Sequence, residues 1–153
     1  MRVLIQRVTS AKVYIGNKIV GEIGKGYLIL LGVKEGDYEG DSDVLAEKTV
    51  NLRIMSDAED RMNLSILDVN GEILVVSQFT LYADTGVGRR PSFIKAGKPE
   101  RAKILYESFI KKLKDLGVRK VATGEFGAYM NISLVNDGPV TIMLESGGIK
   151  VVR

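Results

Sequence analysis

Tyr27-Leu28-Ile29-Leu30-Leu31-Gly32-Val33 is an apolar run of strand length, set between Gly24 and Gly26 on one side and a polar segment from Glu35 to Asp41 on the other. A run without polar alternation suits a central strand covered on both faces, so it predicts the core of a sheet. Upstream, Val3 to Val8 reads as a strand, and Lys12 to Ile15 and Lys18 to Ile23 read as a hairpin about Gly16-Asn17. Downstream, Asp41 or Ser42 can cap a helix running to about Leu52, with Leu45, Thr49 and Leu52 on one face, before Arg53-Ile54-Met55 resumes extended structure.

Asn70-Gly71 predicts a second hairpin, between Ile66-Leu67-Asp68-Val69 and the apolar segment Glu72 to Val76. Pro99 suits the first turn of a helix whose Ala102, Leu105, Phe109, Leu113 and Leu116 form one stripe, and Gly117 is a natural stop. The opposite face carries Arg101, Lys103, Lys111, Lys112 and Lys114 and reads as a solvated surface, with phosphate attraction as the other reading. Val118 to Ala122, Ile132 to Val135 and Val140 to Leu144 complete the strands. No repeat or linker interrupts the chain, and residues 1–153 are expected to form one domain.

Composition narrows the chemistry. There is no cysteine, which removes thiolate nucleophiles, thiolate metal sites and disulfides. There is no histidine either, so neither a Ser-His-Asp triad nor a His-ligated zinc is available. Asp57-Ala58-Glu59-Asp60 lacks EF-hand spacing, and we expect no metal and no cofactor. A net charge of +3 permits a polyanionic partner without requiring one. The residues after Met1 lack a secretory pattern and no apolar segment approaches the ~20 residues that cross a bilayer, so a soluble, cytoplasmic protein with no membrane partner is expected.

Two stretches stand apart. The strand from Ile73 to Val76 runs into Ser77-Gln78-Phe79-Thr80-Leu81-Tyr82, which sets hydroxyl and amide groups and free backbone N–H groups at the lip of a core. An amphipathic strand with outward Ser and Gln is the plainer reading. The other is Asn136-Asp137-Gly138-Pro139-Val140-Thr141, between two strands. Proline cannot donate to a ladder, so Gly138-Pro139 must form a bend, a bulge or an edge, where bare carbonyl oxygens can be presented at close range. Between them, Thr85-Gly86-Val87-Gly88-Arg89-Arg90-Pro91-Ser92-Phe93 reads as a mobile surface loop.

Ser77-Gln78-Phe79-Thr80-Leu81 and Asn136-Asp137-Gly138-Pro139-Val140-Thr141, in this order and spacing, resemble the S-Q-x-x-L and N-x-G-P-x-T motifs of D-aminoacyl-tRNA deacylases. The likeness extends from Met1-Arg2-Val3-Leu4-Ile5-Gln6-Arg7-Val8 to Gly124-Glu125-Phe126-Gly127-Ala128-Tyr129-Met130 and beyond, leaving out only the tail from Ser146. It implies an α+β domain in which a curved, barrel-like, mostly antiparallel sheet carries two main helices. It also implies a homodimer with active sites at the interface and a cis Gly138–Pro139 peptide. The implied reaction is hydrolysis of the ester of D-aminoacyl-tRNA, with glycyl-tRNA as a further substrate.

On that resemblance, Ser77, Gln78, Phe79 and Thr80 are the catalytic candidates, acting through backbone N–H groups with assistance from the RNA 2′-OH. Gly138 and Pro139 of the opposite subunit are the candidates for chiral selection. Phe93 and Met130 are candidate walls for the terminal adenine or, alternatively, core residues. Arg89, Arg90 and Lys95 are candidates for acceptor-stem phosphates. Two alternatives remain: Thr80 as a nucleophile, for which no activating base is evident, and a non-catalytic RNA- or DNA-binding module.

Overall fold

In the computed structural model, which describes residues 1–149, the chain runs β1 (Arg2–Ile15), β2 (Lys18–Ile23), β3 (Gly26–Gly32), α1 (Glu39–Asn51), β4 (Met55–Ser56) and β5 (Met62–Leu64). It continues through β6 (Glu72–Ser77), a 3-10 turn at Phe79–Tyr82, α2 (Pro99–Asp115), β7 (Lys120–Thr123), β8 (Asn131–Glu145) and a last 3-10 turn at Ser146–Gly148.

The apolar run is β3, held between β1 on one side and β6 on the other. Tyr27, Ile29 and Leu31 face the helices, where they meet Leu45, Leu105, Phe109 and Leu113. Leu28 faces the other way, into a second cluster with Val8, Val13, Ile23, Leu74 and Val76. Both faces of β3 are dry, which is why the run tolerates no polar residue; each such side chain contributes roughly 1.5 to 3 kcal/mol on burial.

β1 pairs antiparallel with β2, β3 and β8, whereas β6 pairs parallel with β3 and β7, so the sheet is mixed and largely antiparallel. β2 lies against β7, which curls the sheet into a nearly closed barrel with α1 and α2 packed together on one side. Ser42 Oγ donates to the Glu39 carbonyl and lies 3.0 Å from Ser108 Oγ, linking the two helices. The stripe on α2 is buried as its spacing predicts. Its basic face is mostly ion-paired: Lys111 reaches Asp115, and Lys112 lies 3.4 Å from Glu47 on α1.

Several elements differ from the sequence reading. The hairpin expected at Asn70-Gly71 does not form. Residues Ile66 to Val69 are a compact turn in which the Ser65 N–H and hydroxyl both bond the Asp68 carboxylate at 2.7 Å, and Gly71 N–H bonds the Ile66 carbonyl. Ile66 is fully buried, and β6 leaves this turn to pair in parallel with β3. Helix α1 starts one turn before the expected cap: Asp41 sits inside it and accepts the Tyr38 N–H at 2.9 Å. The first two expected strand pieces are one continuous β1, and the last two are one continuous β8. The tail from Ser146 begins on the fold, with the Met1 amino group donating to Ser146 Oγ at 2.8 Å; residues 150–153 lie outside the described residues.

Candidate active site

β6 ends at the site. Ser77 is in register with Leu31, and the Gln78 N–H donates to the Leu31 carbonyl at 2.8 Å, completing the ladder with β3. The chain then leaves the sheet as the 3-10 turn Phe79–Tyr82, which folds back over the end of β3. Gly32 permits this approach, since a Cβ there would come within 3.0 Å of Leu81 Cβ and 3.1 Å of the Gln78 carbonyl oxygen. The first N–H groups of such a turn have no acceptor within it. Those of Phe79 and Thr80 have no hydrogen-bond partner among the described residues. The Gln78 side-chain amide donates to Thr80 Oγ1, and no base contacts that hydroxyl among the described residues.

This corner opens onto a pocket of about 740 Å³ at the carboxyl ends of the parallel strands β3 and β6. Its size is that of a small-molecule site, and the ends of parallel strands are where such sites form. Ser77, Gln78, Phe79, Phe93 and Met130 all line it. Phe79 and Phe93 meet edge to face with ring centroids 5.0 Å apart. Phe93 is 36% exposed, so it is a wall rather than a core residue. Met130 packs against the inner barrel cluster and also lines the pocket.

The pocket is mostly apolar. Its titratable walls are Lys98, Tyr106 and Tyr129, with no carboxylate among the described residues. Burial pushes the Tyr106 phenol up to about 12. Its hydroxyl, donated to the Val75 carbonyl at 3.0 Å, therefore stays protonated through neutral pH and cannot act as a base there.

Other candidates lie elsewhere. Arg89 and Arg90 are exposed in the loop between Asp84 and Ser92, whose backbone groups bond each other at 2.8 Å, and neither arginine lines the pocket. Lys95 is bound to Asp84 at 2.7 Å beside a separate hollow with Arg2 and Lys34. That ammonium and the Gly86 N–H hold the Asp84 carboxyl below the usual carboxylate range.

Gly138-Pro139 forms a bulge in β8, opposite Arg7, where the pairing with β1 slips between Gln6 and Val8. The peptide is cis, as the resemblance implies. The motif's ends hold the bulge: Asn136 Oδ1 accepts the Val140 N–H at 2.9 Å, and Asn136 Nδ2 reaches Thr141 Oγ1 at 3.3 Å. Gly138 has φ +128°, a conformation that favours glycine, and a Cβ there would come within 2.8 Å of Val140 Cγ2. Gly138 and Pro139 are exposed and do not line the pocket of their own chain.

Sequence reasoning missed Arg7. It is buried in phase with Val3 and Ile5, and it donates to the Asp137 and Ile54 carbonyls at 3.1 and 2.8 Å while pairing with the Asp137 carboxylate. An arginine on the apolar phase of a strand was the available signal. It also missed Tyr106, Phe126 and Tyr129 as pocket walls, because strand and helix periodicity do not reveal which loops meet.

Comparison with known proteins agrees with this geometry. A family model described as D-Tyr-tRNA(Tyr) deacylase matches residues 4–145. Proteins named D-aminoacyl-tRNA deacylase from Thermosipho melanesiensis and Roseiflexus sp. (strain RS-1) are 54% and 58% identical over 146 residues, which is 95% of this chain and 97% and 94% of theirs. A solved structure named c-Myc DNA Unwinding Element Binding Protein superposes with TM-score 0.90 at 38% identity, covering 95% of this chain and 98% of its own. The match to the family model spans both motifs and nearly all of the fold, and the chain belongs to the D-Tyr-tRNA(Tyr) deacylase family.

Proposed function

We propose that this chain hydrolyses the ester joining a D-amino acid to the terminal adenosine of tRNA, releasing the free amino acid and the tRNA in a chiral proofreading step of the cytoplasm. The observation that carries this reading is the pair of N–H groups without a partner among the described residues, that of Phe79 on the pocket wall and that of Thr80 next to it, at a pocket whose lining holds no carboxylate or histidine. An aminoacyl ester on ribose is already activated by its neighbouring hydroxyl. Positioning and oxyanion stabilisation can then suffice, with the 2′-OH orienting the attacking water. Ser77 and Gln78 hold the turn and the ribose, and Phe93 and Met130 flank the adenine.

The second half of the site comes from another copy. Gly138 and Pro139 do not line their own chain's pocket, and Val135 and Met143 beside them on β8 are 56% and 46% exposed, as apolar residues covered in a homodimer would be in the separated chain. The Gly138 and Pro139 carbonyls accept the substrate's amino group and crowd the space beyond it. An L side chain clashes there, whereas a D side chain points outward and glycine has nothing to exclude. Glycyl-tRNA is therefore a second substrate.

Arg89, Arg90 and Lys95 hold acceptor-stem phosphates in this reading. Reversing the charge of Arg89 and Arg90 should weaken tRNA binding by more than tenfold and flatten its salt dependence, measured as log Kd against log salt. An unchanged slope removes these residues from the RNA path. The relative named for a DNA element supports a second reading, as a nucleic-acid-binding module without catalysis. Incubation with D-aminoacyl-tRNA separates the two, since a module binds the RNA and leaves the ester intact.

A further inference from the structure

The turn from Gly124 to Met130 holds a large aromatic side chain in solvent at the pocket mouth. Tyr129 is 88% exposed, and Ile94 across the same pocket is 89% exposed. The turn that carries Tyr129 is anchored at both ends. On one side Phe126 packs on Tyr106 of α2 with ring centroids 5.6 Å apart. On the other, Met130 packs into the inner barrel cluster and closely over Gly124, where a Cβ would come within 2.5 Å of the Met130 sulfur. Between these anchors Ala128 N–H bonds the Glu125 carbonyl at 3.2 Å, and Gly127 takes φ +80°. Tyr129 is thus displayed on a turn anchored at both ends, so little backbone order has to be gained when a ligand binds it.

The inner walls of the pocket are already claimed by the terminal nucleotide in the proposed function, on which this inference rests. A strand of RNA entering the pocket must pass its mouth, and the single-stranded ends of RNA are recognised by stacking unpaired bases on aromatic side chains. We infer that Tyr129 is the stacking platform for the base that precedes the terminal adenosine. This subsite lies outside the reacting centre and distinguishes a polynucleotide ester from an ester of adenosine alone.

The test compares three substrates bearing the same D-amino acid: tRNA, the dinucleotide cytidylyl-adenosine and adenosine. With the wild type, KM should fall by about tenfold or more from the adenosine ester to the dinucleotide ester, the scale of one base–aromatic stack. Tyr129→Ala should abolish that gain and raise KM on tRNA by the same factor, while Tyr129→Phe, which keeps the ring, should match the wild type. An equal rise in KM on the adenosine ester would make Tyr129 a wall of the terminal nucleotide's own pocket and overturn the inference. So would an unchanged KM on all three substrates, or dissociation of the dimer by Tyr129→Ala in sedimentation, which would assign the ring to a second copy. Failure of the wild type to cleave any of these esters would instead sink the proposed function itself.

Discussion

Phe79→Pro is expected to hydrolyse D-aminoacyl-tRNA on the order of a hundredfold or more slowly than Phe79→Ala, the cost of one oxyanion donor. Both variants lose the ring that packs on Phe93, and only the proline loses the N–H. The position tolerates proline, because Phe79 opens the 3-10 turn and its N–H has no partner to lose among the described residues. Gln78 before it, with φ −146° and ψ 84°, lies outside the helical region that a following proline disfavours. Single-turnover rates on folded protein give the ratio. Equal rates for the two variants would remove this N–H from the chemistry. Thr80→Ala is the control for the other mechanism: loss of all activity together with a trappable acyl-enzyme in the wild type would make the Thr80 hydroxyl the nucleophile.

The second large effect is a recovery. Gly138→Ala should be nearly inactive, because a Cβ at φ +128° meets Val140 Cγ2 and the Arg7 guanidinium, and the bulge must shift. Co-expressed with Phe79→Pro, it should regain about a quarter of wild-type activity. In the proposed homodimer, half the pairs are then mixed, and each mixed pair holds one site built from two undamaged halves. If Phe79 and Gly138 served the same chain's site, no combination of these chains would restore activity. Size-exclusion chromatography of each variant guards against loss of the dimer itself.

How much of this was legible in the sequence depends on the range of the interaction. The central run betrayed β3 because burial on both faces leaves a local signature, and the Pro99-to-Gly117 segment betrayed α2 for the same reason. The ends of the two motifs were legible as breaks in strand patterning, at Ser77 and at Gly138-Pro139. The partner of β6 was not. Asn70-Gly71 has the chemistry of a two-residue hairpin, but Asp68 closes a compact turn on Ser65 and buried Ile66 anchors it, which frees β6 to run parallel to β3. Local turn chemistry cannot say which strand comes next across the sheet.

The pocket was equally hidden. Its corner is a contiguous motif, but its far wall joins the start of α2 to the turn around Phe126 and Tyr129, and only the tertiary fold brings these together. Arg7 illustrates the same limit. Its phase in β1 announced a buried arginine, and nothing local announced that it would clamp the Asp137 corner of the Gly-Pro bulge.

In the proposed reaction, chirality is read by exclusion at Gly138-Pro139 while the ester is cleaved at the Phe79-Thr80 backbone. Its most direct test is the rate of amino acid release from one tRNA charged in turn with the D and the L enantiomer of the same amino acid, by the wild type and by Pro139→Ala. Rapid release of the D enantiomer and none of the L above background is expected for the wild type, with that discrimination reduced in Pro139→Ala. Equal release of both enantiomers by the wild type would contradict it.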